Sequence, residues 1–204
     1  MIFNSLRRVE YHGVFFALGG RSKNSLFKIF MLHQFQSLNS LKKNSFLGFE
    51  KISDLFKNCS NIPQERGVYL VLYAEKHYPK FIDPGKGGFY KGKNPNVLTS
   101  KLESNWIDGT KVIYIGQAGG KTKKGKWSNQ TLYGRISKYM KFGKQCPVAH
   151  WGGRYIWQIK NHENLTICWK PLPNKSKDPR QVETEMICDF EKTYKNMPFA
   201  NLRH

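Results

Sequence analysis

Two tyrosines and an arginine, the second tyrosine and the arginine lying within a lysine-rich stretch, are the residues of this sequence best suited to work on a phosphate. Tyr69 stands in Gly67-Val68-Tyr69-Leu70-Val71-Leu72-Tyr73, Tyr114 in Val112-Ile113-Tyr114-Ile115, and Arg135 in Leu132-Tyr133-Gly134-Arg135-Ile136-Ser137-Lys138-Tyr139. From Gly109 to His162 there are eleven Lys/Arg and no Asp or Glu. A segment of that composition is suited to meet a polyanion. Arginine supplies a permanent cation whose planar fork matches phosphate oxygens. A tyrosine hydroxyl, with an ordinary pKa of about 10, works as a base only where neighbouring cations lower it.

These residues need elements to position them. The two tyrosine-bearing runs are β-branched and aromatic and read as strands. Gly116-Gln117-Ala118-Gly119-Gly120 follows as a loop, and Ser128 or Asn129 is suited to cap the next helix. In that helix Leu132, Ile136, Tyr139 and Met140 form a core stripe, with Arg135 and Lys138 beside it. Leu47 to Leu55 carries an apolar pattern in which Ile52, Leu55 and Phe56 fall at helical spacing. The stretch 75–110 has too much Gly and Pro for a regular element and reads as an insertion, with Phe89 and Tyr90 set between lysines. Within it, Leu98, Leu102 and Trp106 suggest a short helix. Arg154 to Ile159 fits strand or helix equally, and Leu165-Thr166-Ile167-Cys168-Trp169 alternates as a third strand. Asp178 and Pro179 open a last helix reaching about Tyr194, with Val182, Met186, Phe190 and Tyr194 facing inward.

The expected fold is therefore α/β in the α+β sense: a small three-stranded, mainly antiparallel sheet flanked by helices, with a long insertion between the first two strands. Residues 1–60 read as a basic N-terminal extension, partly disordered or helical, and residues 61–204 as one domain.

Net charge is +20 over 204 residues. Nucleic acid is the first partner this suggests, and an acidic membrane surface the second. No run of eighteen apolar residues exists, so no transmembrane helix is expected. Residues 1–49 hold seven Lys/Arg and one acid, Glu10. That resembles a transit peptide, though a basic arm is preferred, and both Met1 and Met31 remain candidate starts. The cysteines Cys59, Cys146, Cys168 and Cys188 have no metal-knuckle spacing, and Pro147 interrupts the Cys146/His150 pair. Scattered thiols suit a reducing, cytoplasmic setting. Gly119-Gly120-Lys121-Thr122 imitates the end of a phosphate-binding loop, but Ile115 stands where its first glycine belongs, which argues against an NTPase.

Six elements, taken in order, resemble the GIY-YIG nuclease superfamily. Gly67-Val68-Tyr69 is similar to its first signature, and Tyr114-Ile115-Gly116 is its second, unaltered. Arg135 stands on the following helix, and Tyr139, four residues on, matches a position the family fills with His or Tyr. Glu183-Thr184-Glu185-Met186-Ile187 resembles its metal-binding glutamate segment, and Pro198-Phe199-Ala200-Asn201 its closing Pro-x-x-Asn. The resemblance covers roughly residues 66–202. It departs from the family in the forty-five residues separating Tyr69 from Tyr114, a gap the insertion must fill. In size the chain is closest to the stand-alone restriction enzymes of that superfamily.

The resemblance implies a divalent-metal-dependent endonuclease acting on DNA, double-stranded by preference, with Mg²⁺ or Mn²⁺ as cofactor. It assigns the general base to Tyr69, orientation of water or phosphate to Tyr114, the phosphate contact to Arg135 and the metal to Glu183, with Glu185 the alternative. Tyr139 completes the site, and Asn201 positions phosphate or Tyr69. Lys86, Lys91, Lys93, Lys121, Lys123, Lys124, Lys126 and Lys138 are the expected nucleic-acid contacts. A catalytically inactive nucleic-acid-binding module on the same scaffold is the alternative. A role in restriction, repair or element mobility is open, as is oligomeric state, with a dimer one option.

Overall fold

The computed structural model describes residue 35, residues 37–175 and residues 177–202. Residues 1–34, which include the basic leader and Met31, lie outside the described residues. In chain order the elements are α1 (Leu38–Lys43), β1 (Leu47–Lys51), α2 (Ile52–Leu55), β2 (Gly67–Leu72), α3 (Thr99–Asn105) and β3 (Val112–Ala118). They continue with α4 (Leu132–Gly143), 3-10 turns at Arg154–Gln158 and His162–Asn164, β4 (Thr166–Pro171) and α5 (Pro179–Tyr194). The fold is α+β, with every strand pair antiparallel and the sheet order β1-β4-β2-β3.

The sheet thus has four strands where the sequence suggests three. The added strand is β1, which falls in a stretch whose visible pattern is helical; only Ile52–Leu55 forms a helical turn. β1 hides its periodicity because its pairing with β4 is interrupted between Gly48 and Glu50, and both Gly48 and Phe49 have positive φ. Gly48 must be glycine, since a Cβ there would stand 2.4 Å from the Trp169 indole. A boundary at residue 60 does not separate an extension from a domain. Phe35, Leu41, Phe46, Ile52 and Leu55 are all buried within the common core.

Alternation along the strands divides the sheet into two faces, and both are covered. Val68, Leu70, Leu72 and Ile115 meet Ile187 and Phe190 of α5, together with Phe35 and Leu41. Tyr69, Val71, Tyr114 and Trp169 meet Leu132, Ile136, Tyr139 and Met140 of α4, and Trp157. Covering both faces explains why β2 is apolar throughout and why all six of its residues are buried.

Both flanking helices are well started. Thr131, not Ser128 or Asn129, caps α4, its hydroxyl accepting from Gly134 N at 3.1 Å. Asp178 caps α5 by accepting from Arg180 N at 3.0 Å, with Pro179 at the first turn. Each such cap is worth about 1 kcal/mol. The same Asp178 oxygen accepts from Lys121 N at 3.1 Å, which ties the loop after β3 to the start of α5.

The insertion between β2 and β3 is not a free loop. Buried Gln158 holds it, its side-chain nitrogen donating to Ile82 O and Val97 O (3.2 and 2.8 Å) and its oxygen accepting from Val97 N at 2.8 Å. Lys86 N donates to Trp157 O at 2.9 Å, and Gly85 N to Asn96 Oδ1 at 2.9 Å. The stretch left ambiguous at 154–159 becomes a 3-10 turn, and its first residue, Arg154, donates from Nε to Pro95 O at 3.1 Å.

Candidate active site

Strand register brings the two tyrosines together. Tyr69 pairs with Gly116, and Val71 with Tyr114, so the tyrosines are diagonal neighbours on one face. Their rings lie 5.9 Å apart at 62°. The Tyr69 ring lies against the backbone of Gly116, where a Cβ would stand 2.6–2.7 Å from its Cζ, Cε1 and hydroxyl. The glycine of Tyr114-Ile115-Gly116 is therefore required to seat the tyrosine of Gly67-Val68-Tyr69.

Arg135 reaches this pair from α4. A cleft of about 360 Å³ is lined by Tyr114, Gln117, Arg135, Arg180, Glu183 and the Trp151-Gly152 loop, among others. Tyr69 does not line it. Tyr69 is fully buried, with its hydroxyl behind Tyr114. That hydroxyl lies close enough to Tyr114 and Arg135 to feel both, yet makes no well-aligned hydrogen bond, and Arg135 Nε is likewise buried without one. A second, larger cleft of about 490 Å³ shares Asn201 and Leu202 with the first. Tyr114, Arg135 and Glu183 are not in it, so the smaller cleft holds the reactive groups.

The electrostatics follow from burial. Burial raises the pKa of Tyr69, and the Arg135 guanidinium and the Tyr114 hydroxyl offset part of that rise. Tyr114 is held well above the ordinary tyrosine value by burial and then by the charge Tyr69 would carry. Of the pair, Tyr69 is the one placed beside both stabilising groups. Burial opposes the Arg135 charge, but Tyr69, Tyr114 and Glu183 beside it favour that charge more, so its pKa lies above the ordinary arginine value. Burial pushes Glu183 up to about 7, against the pull of Arg135 and Arg180. Among the described residues no salt bridge within 4.0 Å involves Glu183 or Arg135.

Comparison of the chain with protein-family models, curated proteins and solved structures finds no match. Its own geometry therefore carries the functional reading.

Four of the residues expected in the site, Tyr114, Arg135, Glu183 and Asn201, line the cleft. Glu185 does not; it is exposed and accepts from Gln181 at 2.9 Å. Tyr139 is fully buried and spends its hydroxyl on Gly153 O at 2.7 Å, which anchors the 151–153 loop over Tyr114. Its two glycines allow the close approach: a Cβ at Gly152 would stand 2.8 Å from the Tyr114 hydroxyl, and one at Gly153, whose φ is +73°, 2.7 Å from the Tyr139 hydroxyl. Asn201 lines the cleft, but both ends of its amide bind the β3 backbone, accepting from Ile115 N and donating to Ile115 O, each at 2.9 Å. It covers the free edge of the sheet rather than facing a phosphate.

The expected lysines divide. Lys121, Lys123, Lys124 and Lys126 lie on an exposed turn closed by the Lys121–Trp127 bridge. A hairpin, not a helix, thus follows Gly119-Gly120, which removes the helix N-terminus that a nucleotide-binding loop requires. Lys138 lies close enough to His150 to lower its pKa, and Lys86 does the same to His162. Lys91 and Lys93 border a separate slot with Tyr90 and Trp151.

Sequence reasoning missed Arg180 and His150. Arg180 adds a second guanidinium to the cleft, and its Nε donates to Lys121 O at 2.8 Å. The signal was present: Arg180 lies three residues before Glu183 on one helix face. His150 is buried, stacked on Tyr139 at 4.3 Å and 22°, with neither ring nitrogen bonded. Burial, then Arg135 and Lys138, hold its pKa well below the usual value, so it is neutral. Nothing in its local sequence marks it.

Proposed function

We propose that this protein is a divalent-metal-dependent endonuclease that hydrolyses DNA phosphodiester bonds, with its groups arranged in the GIY-YIG manner. The observation that supports this reading is the convergence of Tyr114, Arg135 and Glu183 on one cleft, with Tyr69 directly behind. Four separate elements supply these groups. The fold has no evident structural need for an unpaired carboxylate and an unpaired guanidinium facing the same space.

Magnesium or manganese fits Glu183. Its carboxylate is a hard oxygen donor with no salt-bridge partner among the described residues, and one such ligand suits a Mg²⁺ that keeps most of its waters. Among the described residues no three His, Cys, Asp or Glu side chains converge as ligands, so the protein share of such a site is this single carboxylate. When bound, the ion would neutralise phosphate charge and make a water more acidic.

In this reading Arg135 holds a non-bridging phosphate oxygen, and Arg180 extends the positive wall. Water in the cleft meets the Tyr114 hydroxyl. Tyr69 cannot touch that water. It takes that water's proton through Tyr114 only as its anion, the minor form because burial raises its pKa, and Arg135 and the Tyr114 hydroxyl are the groups that stabilise that anion. Asn201 acts indirectly, by fixing β3. A catalytically inactive DNA-binding module is the second reading, and the complete burial of Tyr69 is the observation that favours it.

Supercoiled plasmid incubated with Mg²⁺ or Mn²⁺, with and without EDTA, separates the two. Cleavage is expected only with free metal. Arg135→Ala should lose about 10²–10³-fold, by analogy with loss of an oxyanion-stabilising donor. Glu183→Gln should bind DNA without cutting it, and Glu185→Gln should cut normally. Cleavage by Arg135→Ala at the wild-type rate would overturn the assignment. DNA binding with no cleavage under any metal would leave the inactive module.

A further inference from the structure

Trp151 borders two spaces at once. On one side lies the cleft of Tyr114, Arg135 and Glu183. On the other is a slot of about 240 Å³ lined by Tyr90, Lys91, Lys93 and Trp151. The slot is built from two segments sixty residues apart that the structure locks together. Tyr90 and Lys93 face each other across an isolated bridge whose turn is made by Lys91 and Gly92, both with positive φ. Arg154 donates to Pro95 O and lays its guanidinium 4.6 Å from the centre of the Trp151 ring, covering one of its faces. Trp151 nonetheless remains 38% exposed. An exposed indole and a phenol ring, rimmed by Lys91 and Lys93 and backed by Arg154, have the chemistry that holds a base by stacking and its phosphates by charge.

We infer that this slot receives one unpaired nucleobase of the DNA strand whose phosphate occupies the neighbouring cleft. The inference rests on the nuclease reading for the phosphate, and on the slot itself for the base. Two observations select this occupant. The rim is cationic and the walls aromatic, a combination that suits a nucleotide and not an apolar peptide. The shared wall sets the slot one side chain away from the cleft, a reach that a single displaced nucleotide can span. A base in a regular duplex is stacked and paired, so it cannot enter. The preferred substrate is therefore DNA with an unpaired nucleotide at the cut site, such as a bulge, a flap or a strand end.

The test is binding in EDTA, where no cleavage interferes. Two fluorescently labelled duplexes are compared by anisotropy: one with a single bulged adenine, the other with an abasic residue in its place. The wild-type protein should prefer the bulged adenine by about 5- to 150-fold, the worth of one stacked base. Trp151→Ala should bring the two affinities within about twofold, and Trp151→Phe, which keeps a ring, should restore the preference. Lys91→Ala with Lys93→Ala should weaken both duplexes alike and reduce the salt dependence. Equal wild-type affinity for the two duplexes would overturn the inference. So would a Trp151→Ala protein that is folded by circular dichroism and keeps the preference. A protein that cuts plasmid but shows no base preference retains the nuclease reading and loses the slot. One with the preference but no cleavage retains the slot and loses the nuclease reading.

Discussion

Replacing Gly116 with alanine would act on Tyr69 and on little else. The Gly116 backbone is not in the left-handed region, so alanine is acceptable to the main chain itself. The new Cβ would meet Tyr69 Cζ at 2.6 Å and its hydroxyl at 2.7 Å. An ordinary carbon–carbon contact is about 3.5–4.0 Å, so the ring must withdraw by roughly 1 Å. The ring is fully buried, and such overpacking costs about 1–3 kcal/mol. A reacting group misplaced by about 1 Å can lose about 10²-fold in rate. Gly116→Ala should therefore remain folded, unfold at lower urea, and nick plasmid about a hundredfold more slowly. Tyr69→Ala supplies the control: in that background the stability cost of Gly116→Ala should shrink to within about 0.5 kcal/mol, because the clashing partner is gone. An equal cost in both backgrounds, or a fully active Gly116→Ala, would refute the proposed seating of Tyr69 on Gly116.

Two further outcomes follow from the same geometry. Because the folded state raises Glu183 from 4.5 to about 7, native protein holds an extra proton between those values. The stability this confers is present below pH 4.5 and is lost as pH rises through 7. Glu183→Gln should lack that loss, its stability relative to wild type growing by about 1–3 kcal/mol between pH 4.5 and 8. Parallel urea-denaturation profiles for the two proteins would contradict it. Asn201→Ala strips both hydrogen bonds from Ile115 and should cost about 2–4 kcal/mol, with Asn201→Asp only partly restoring it, since a carboxylate can accept from Ile115 N but cannot donate to Ile115 O. A loss below about 0.5 kcal/mol would show that this sheet edge needs no cover.

What could be read from the sequence was whatever neighbouring residues decide. β2, β3 and β4 showed themselves through their β-branched and aromatic content, α5 through Asp178-Pro179, and α4 through its apolar stripe. The order of Tyr69, Tyr114, Arg135 and Glu183 was visible, and three of the four meet in the cleft. What stayed hidden depends on distant partners. β1 is a strand because Leu47–Lys51 lies beside β4, and Gly48 is fixed by Trp169, far along the chain. The depth of Tyr69 is set by helix α4 and Tyr114 lying over it, so its lack of access to the cleft had no local signature. Tyr139 and Asn201 were legible as members of the constellation but not as its braces. Which atom a buried hydroxyl or amide bonds depends on loops, 151–153 and the backbone at Ile115, whose paths no periodicity reveals.

The place of β4 in the sheet bears on how the chain reaches this fold. β4 lies between β1 and β2, pairing Leu47 with Trp169 and Gly67 with Pro171. Until residues 166–171 have been synthesised, β1 has no strand to join, and one side of β2 exposes unpaired backbone along its apolar run. The two pairings close loops over residues 52–165 and 73–165, and sheets made of such distant contacts fold slowly. An open edge lined with apolar side chains is prone to join a second chain. During that interval the growing chain already carries the lysine-rich segment 111–144, whose mutual repulsion helps keep unfinished copies apart. If that repulsion protects the unfinished chain, recovery of soluble protein should fall as ionic strength during refolding rises.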